Sequence, residues 1–264
     1  LTSYTPDEEV VLEKNPNYWG TSTNVDKYIL KIQPDANTQM MTLSTGDIDV
    51  ALNLTDDTLE ELGSAENVEI VNGTTKMIGF VMMNMNEEYG GPVSNPDVQK
   101  AIRKALDYSG IRMICGDGTL TPYSIIQDGF MGSKGTRPDD YTNIEEAKQL
   151  LADAGYPDGF DMTIMTTALY NRGVEMAEII AEELKEIGIN AKLEVIERAV
   201  FTSAWASFTP EEFNEKFGWD MFIMGAGGDS DADTLLKRIM HSADTNVNNY
   251  GFYNNAEGGG LLEK

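Results

Sequence analysis

The stretch FDMTIMTTALYNRGVEMAEIIAEELKEIGINAKLEVI, residues 160–196, decides the fold class. Phe160 to Met165 reads as a short strand. Arg172 to Ile187 then sets Met176, Ile179, Ile180 and Leu184 on one face of a helix, and Ala191 to Ile196 returns to strand character. A third strand, Trp219 to Met224, follows a Phe-rich helical insert. Strands separated by helices imply parallel pairing through right-handed crossovers, so the class is α/β.

Upstream, Thr142-Asn143-Ile144-Glu145 has capping-box spacing and opens a helix that buries Ala147, Leu150, Leu151 and Ala154 before Gly155 stops it. Gly116 to Tyr141, rich in Gly and Pro, reads as a long ordered loop. Asn95 and Pro96 open another helix, with Val98, Ile102, Ala105, Leu106 and Ser109 along one face. Lys76 to Met85 is a long apolar strand, and Gly90-Gly91-Pro92 beyond it marks a change of domain. Nearer the start, Val10 to Glu13 and the alternating Tyr28, Leu30 and Ile32 read as strands around the turn Asn15-Pro16-Asn17. Helices are expected over Asn37 to Ser44, ended by Gly46, and over Asp56 to Leu62; between them Ile48, Val50 and Leu52 alternate as a strand.

With 264 residues, 41% hydrophobic and 24% charged, the chain has material for one large domain or two smaller ones. No run approaches the roughly 20 apolar residues that span a bilayer. Leu1 to Glu8 is neither basic nor apolar enough for a signal peptide, and Leu1 is no natural initiator, which points to removal of sequence upstream. A net charge of −25 repels phosphate backbones and anionic membranes, which argues against nucleic acid as a partner.

Catalysis is poorly served by this composition. The chain has one histidine, His241, beside apolar residues, and one cysteine, Cys115, which reads as a small hydrophobe rather than a nucleophile. Neither supplies a triad or a Cys/His metal site, so no catalytic residue, metal ligand or cofactor is assigned. Gly116-Asp117-Gly118 and Gly132-Ser133-Lys134-Gly135 lack the order of a phosphate loop. Among 44 acidic residues, chance carboxylate pairs are certain, and none is singled out for glycosidase chemistry. The cluster that invites a ligand is Gly225-Ala226-Gly227-Gly228-Asp229-Ser230-Asp231-Ala232-Asp233. It follows an apolar strand, and ligands of open α/β sheets bind beyond strand carboxyl ends. Two other readings stand beside it. A calcium loop would use Asp229, Asp231 and Asp233, but Thr234 and Met240 occupy positions that want Gly and Glu. A solvated acidic turn needs no ligand at all.

Five collinear pieces resemble the extracytoplasmic solute-binding proteins of ABC transporters, in the peptide/nickel-binding family (family 5). Residues Val11 to Gly20 resemble "LERNPDYWG", and Leu43 to Ala51 resembles "L-x-x-G-E-I-D". Asn95 to Asp107 is similar to "D-x-R-V-R-x-A-I-x-x-A-I-D", and Ala147 to Phe160 to "A-K-x-L-L-A-E-A-G-Y-P-x-G-F". Asn249 to Glu257 resembles "N-Y-x-x-Y-x-N-P-E".

The resemblance implies a type II periplasmic-binding-protein-like fold, a mixed sheet with flanking helices in two lobes that close on a ligand. Residues 1–79 would be part of the first lobe and residues 80–264 most of the second, in a fragment lacking an N-terminal part and the C-terminal end. In peptide-binding relatives an Asp in "G-W-x-x-D" pairs with the ligand's amino terminus. That carries over to Asp229, with Ala226, Gly227 and Gly228 lining the site and Ala226 standing where the family has Trp. Arg172 is the candidate for the ligand's carboxylate, slightly displaced from the dipeptide binders' Arg. The implied protein is a non-enzymatic, monomeric receptor outside the cytoplasm. It would pass a peptide or other small solute to ABC permease subunits and touch the membrane only through a missing N-terminal anchor. An oligosaccharide or metal-chelate binder of the same family, and a sensor signalling through a partner protein, are the alternatives.

Overall fold

A computed structural model describes residues 1–21, 24–71, 73, 77–116, 118–137, 141–168, 170, 172–227, 236, 249 and 251–253. The chain divides into two compact units, Leu1–Asn72 and Gly73–Lys264. In the first, β1 (Ser3–Thr5), β2 (Glu9–Glu13) and β3 (Lys27–Lys31) form an antiparallel sheet in that order. Two helices follow, α1 (Ala36–Thr45) and α2 (Asp56–Leu62). Asp35 starts α1 by accepting the Thr38 N–H at 2.7 Å, and Gly46 ends it in the left-handed conformation, with φ of 79°. The expected strand through Ile48, Val50 and Leu52 does not form. Alternation alone cannot make a strand without a partner ladder, and this segment has none: Val50 and Leu52 are exposed, and Asn53 turns the backbone into the left-handed region.

The second unit opens with β4 (Met77–Met83), then α3 (Glu87–Gly90), a 3-10 turn (Gly91–Ser94), α4 (Pro96–Ala105) and α5 (Tyr108–Cys115). Asn95 caps α4 as expected, but the helix stops at Ala105. Ser109 belongs instead to α5, where Asp107 takes both its N–H and its hydroxyl. After the loop of residues 116–143 come α6 (Ile144–Asp153), β5 (Asp161–Thr167), α7 (Gly173–Lys185) and β6 (Asn190–Ile196). The α6 cap is Asn143 rather than Thr142, because the Thr142 hydroxyl donates to the Leu106 carbonyl at 2.6 Å. The Phe-rich insert is two helices, α8 (Arg198–Ser207) and α9 (Pro210–Phe217), and β7 (Met221–Gly227) follows.

The sheet is mixed, in the order β4-β7-β5-β6. β5 is parallel to β6 and to β7, as the alternation of strands and helices predicted, whereas β4 runs antiparallel to β7. β7 therefore lies on the opposite side of β5 from β6. Strand periodicity sorts its side chains between two cores. Val81, Met83, Met162, Ile164, Met221 and Ile223 face the core that includes α4, α6 and α7 residues such as Ile102, Leu151 and Ile180. Phe80, Met82, Met165 and Phe222 face an aromatic core closed by Phe201, Trp205 and Phe213 of α8 and α9. Among the described residues no helix is long and apolar enough to cross a membrane.

Two polar contacts tie distant segments together. The Asn84 amide donates to Asn214 Oδ1 at 2.6 Å and to the Trp219 carbonyl at 3.0 Å, joining the end of β4 to α9 and the entry of β7. All three residues are buried. Glu183 of α7 accepts the Asp107 N–H at 3.1 Å, at the start of α5. Burial pushes its carboxyl up to about 7, and the Asp107 and Glu186 carboxylates push the same way.

Asn84→Ala should lower unfolding stability by about 2 kcal/mol in urea titration, because Asn214 Oδ1 and the Trp219 carbonyl lose a buried donor. Glu183 binds its proton more tightly folded than unfolded, so its contribution is greatest at low pH and is lost as pH rises through about 7. Glu183→Gln should thus match the parent near pH 4 and exceed it above neutrality by about 1 kcal/mol, discounted for solvent screening of a half-exposed group. Denaturation curves run across pH check the sign.

Candidate functional site

Because β5 and β7 are parallel neighbours, with Ile164 beside Met221 and Thr166 beside Ile223, their carboxyl ends reach one edge of the sheet. Two connections leave there: the turn of residues 168–172 into α7, and the segment that follows Gly227. This is the crevice position at which open α/β sheets take ligands.

Ala226 and Gly227 are not loop residues. They extend β7, paired with Ile78 and Met77 across the antiparallel ladder to β4. Trp219 and Asp220 precede the strand; the Asp220 carboxylate accepts the Thr163 N–H at 2.7 Å, and burial raises its pKa. Gly228 and Asp229 lie outside the described residues, as do Asp231, Asp233 and His241. Arg172 stands at the α7 N-cap position with φ of 68° and ψ of 4°, a left-handed conformation that costs a residue bearing a Cβ. Its exposed guanidinium lies 3.5 Å from the Glu175 carboxylate one turn on. A surface pair of that length binds weakly and leaves Arg172 able to exchange partners for an incoming anion. The structure thus brings Arg172 and the glycine-rich end of β7 to the same edge.

Tyr170 was not singled out from the sequence. Its ring lies against Gly173 and against Gly79 and Gly225, which face each other in the β4–β7 ladder. Its phenol points to Met176 Sδ at 3.6 Å, and burial pushes the hydroxyl up to about 12. The available signal was Gly79 inside an apolar strand, which marks close approach by another group. Cys115, at the C-terminal end of α5, is half-buried against the same core. Burial raises its thiol pKa while the Arg172 charge opposes the rise, so the sulfur stays a weak nucleophile.

Among the described residues no group of three His, Cys, Asp or Glu side chains is placed to hold a metal ion. A cleft of about 420 Å³ lies at the other end of the sheet, between α6 and the α7–β6 turn. It is lined by Lys148, Glu145, Asp158 and Glu186 among others, charges of both signs. The edge beyond β5 and β7 is therefore the candidate site, and among the described residues it presents the Arg172 cation and the glycine-rich backbone at the end of β7.

Residues 1–247 match the family model described as bacterial extracellular solute-binding proteins, family 5 middle. Heme-binding protein A of Haemophilus influenzae is 25% identical over 276 residues, covering 100% of this chain and 47% of that protein. The glutathione-binding protein GsiB of Escherichia coli is 22% identical over 262 residues, covering 97% of this chain and 50% of its own. Of solved structures, HbpA2 from Haemophilus parasuis superposes with a TM-score of 0.79 at 25% identity, covering 100% of this chain and 50% of that one. The periplasmic binding protein DppA from Helicobacter pylori, in complex with the peptide STSA, gives 0.70 at 26% identity, covering 99% and 49%. The chain spans about half the length of the relatives it matches. Its fold is the type II periplasmic-binding-protein fold, with the mixed sheet and flanking helices expected of it.

Replacing Arg172 by Gly relieves the left-handed backbone and sacrifices one weak ion pair. Chemical denaturation should show a gain of about 0.5–1 kcal/mol. A loss would mean that the side chain, not the backbone, governs stability at this turn.

Proposed function

Because this chain belongs to family 5 of the bacterial extracellular solute-binding proteins, we propose that the protein carrying it captures a small solute, peptides foremost, and delivers it to an ABC permease outside the cytoplasm. The observation that carries this reading is the placement of Arg172 and the glycine-rich end of β7 at one sheet edge, in a chain of that family. Relatives named for heme, glutathione and peptide binding support a ligand of that size.

In this reading the whole protein has two lobes that close around the solute, and the unit Gly73–Lys264, which holds all of β4, supplies most of one of them. Asp229 takes the ligand's amino terminus by a charge-assisted hydrogen bond, and Arg172 its carboxylate after exchanging partners with Glu175. Gly227 and Gly228 offer backbone without side chains in the way, and Ala226 leaves room where an aromatic wall would stand. The protein works as a monomer and performs no chemistry, since binding alone drives closure and docking.

Calorimetry on the whole protein that carries this chain, with the tetrapeptide Ser-Thr-Ser-Ala and with glutathione as probes, tests this. Asp229→Ala should weaken peptide binding by about 2–4 kcal/mol, the scale for truncating one partner of a desolvated ion pair. Unchanged affinity would remove Asp229 from the site. Cleavage of the peptide, seen by mass spectrometry, would overturn the binding-only role.

A further inference from the structure

Tyr170 occupies a seat made by glycines from three elements. A Cβ on Gly79 of β4 would overlap the phenol oxygen; one on Gly225 of β7 would stand 2.5 Å from Cδ2; one on Gly173 of α7 would stand 3.0 Å from Cδ1. The Gly173 Cβ would also come within 2.6 Å of Thr166 Oγ1 on β5. Gly79 and Gly225 are register partners, and alternation puts them on the face of Val81, Met83, Met221 and Ile223. The ring therefore closes the open end of the layer between the sheet and α7.

Glycine inside a strand costs backbone entropy and forfeits a packing side chain. At Gly79 and Gly225 that cost leaves room for the ring. The backbone of Tyr170 is held as well: its N–H donates to the Thr167 carbonyl and its carbonyl accepts from Gly173 N–H, both at 3.1 Å. The turn leading to Arg172 is thus anchored by a side chain whose grip is steric. Its polar contact, the thioether of Met176 at 3.6 Å, is a weak acceptor.

A binding edge assembled from two separate connections needs them held to within about 0.5 Å of each other. We propose that Tyr170 is the positioning residue of this edge: wedged among Gly79, Gly173 and Gly225, it fixes the turn carrying Arg172 against the glycine-rich end of β7, and so sets ligand affinity. This rests on the solute-binding reading above.

Cys115, the chain's one cysteine, lies within electrostatic reach of Tyr170 and Arg172 and reports on the seat through its thiol-labelling rate. Tyr170→Ala and Gly225→Ala should each speed labelling and weaken Ser-Thr-Ser-Ala binding per folded molecule by about tenfold. Tyr170→Phe, which keeps the ring, should do neither. The double variant should be no worse than Tyr170→Ala, because filling the seat and removing its occupant are the same event. Tyr170→Leu, which fills more of the volume, replaces Tyr170→Ala should the latter fail to unfold cooperatively. Parent-like labelling and binding in Tyr170→Ala, full additivity in the double variant, or an equal loss in Tyr170→Phe would each overturn the proposal. The last would make the phenol a direct ligand contact. Should the parent bind neither Ser-Thr-Ser-Ala nor glutathione, the peptide-capture reading fails, and the labelling cycle alone still decides whether the seat orders this edge.

Discussion

The second unit depends on burial of one short strand on both faces. Met221, Phe222 and Ile223 are inaccessible to solvent, and their backbone is paired to β4 on one side and β5 on the other. A strand in that position has no edge and no wet face, so every polar backbone group must be met within the sheet. That requirement recruits β4 from far upstream and explains why the sheet is mixed. An antiparallel β4 is what completes the ladder of β7, while β5 supplies its parallel neighbour.

Burial on both faces also divides the labour between the two cores. One face is aliphatic and sits under α4, α6 and α7; the other is aromatic and sits under α8 and α9, where Phe201, Phe213 and Phe222 meet edge to face or stacked. The buried Asn84–Asn214–Trp219 node pins the aromatic layer to the entry of β7. The opposite end of the same strand is the glycine-rich edge. Rigidity at one end and small residues at the other follow from a single element's position, and preorganisation of this kind is what gives a binding site affinity beyond its contact area.

The site's electrostatics combine one exposed cation with two half-buried neutral groups. Arg172 holds a cation at an exposed helix start within a chain of net charge −25, and among the described residues its ion pair is with the Glu175 carboxylate on its own helix. The half-buried thiol and phenol nearby are both pushed toward their neutral forms by burial, which suits a wall better than a reacting group.

Local pattern determined which segments are strands and helices wherever a segment's own periodicity met a partner. The β5–α7–β6 unit, the α4 start at Asn95 and Pro96, and the family motifs are all legible from residues close together in the chain. Membership of the family and the α/β class followed from those pieces. What failed or was missed depended on distant neighbours. Ile48, Val50 and Leu52 alternate like a strand but meet no ladder, and Thr142 loses the helix cap to Asn143 because its hydroxyl finds Leu106. Ala226 and Gly227 look like loop until β4 pairs with them. Tyr170 is one tyrosine among eleven by composition. Only tertiary structure makes it significant, because the three glycines that receive it lie in β4, α7 and β7, and nothing in local sequence records which backbone a side chain will lie against.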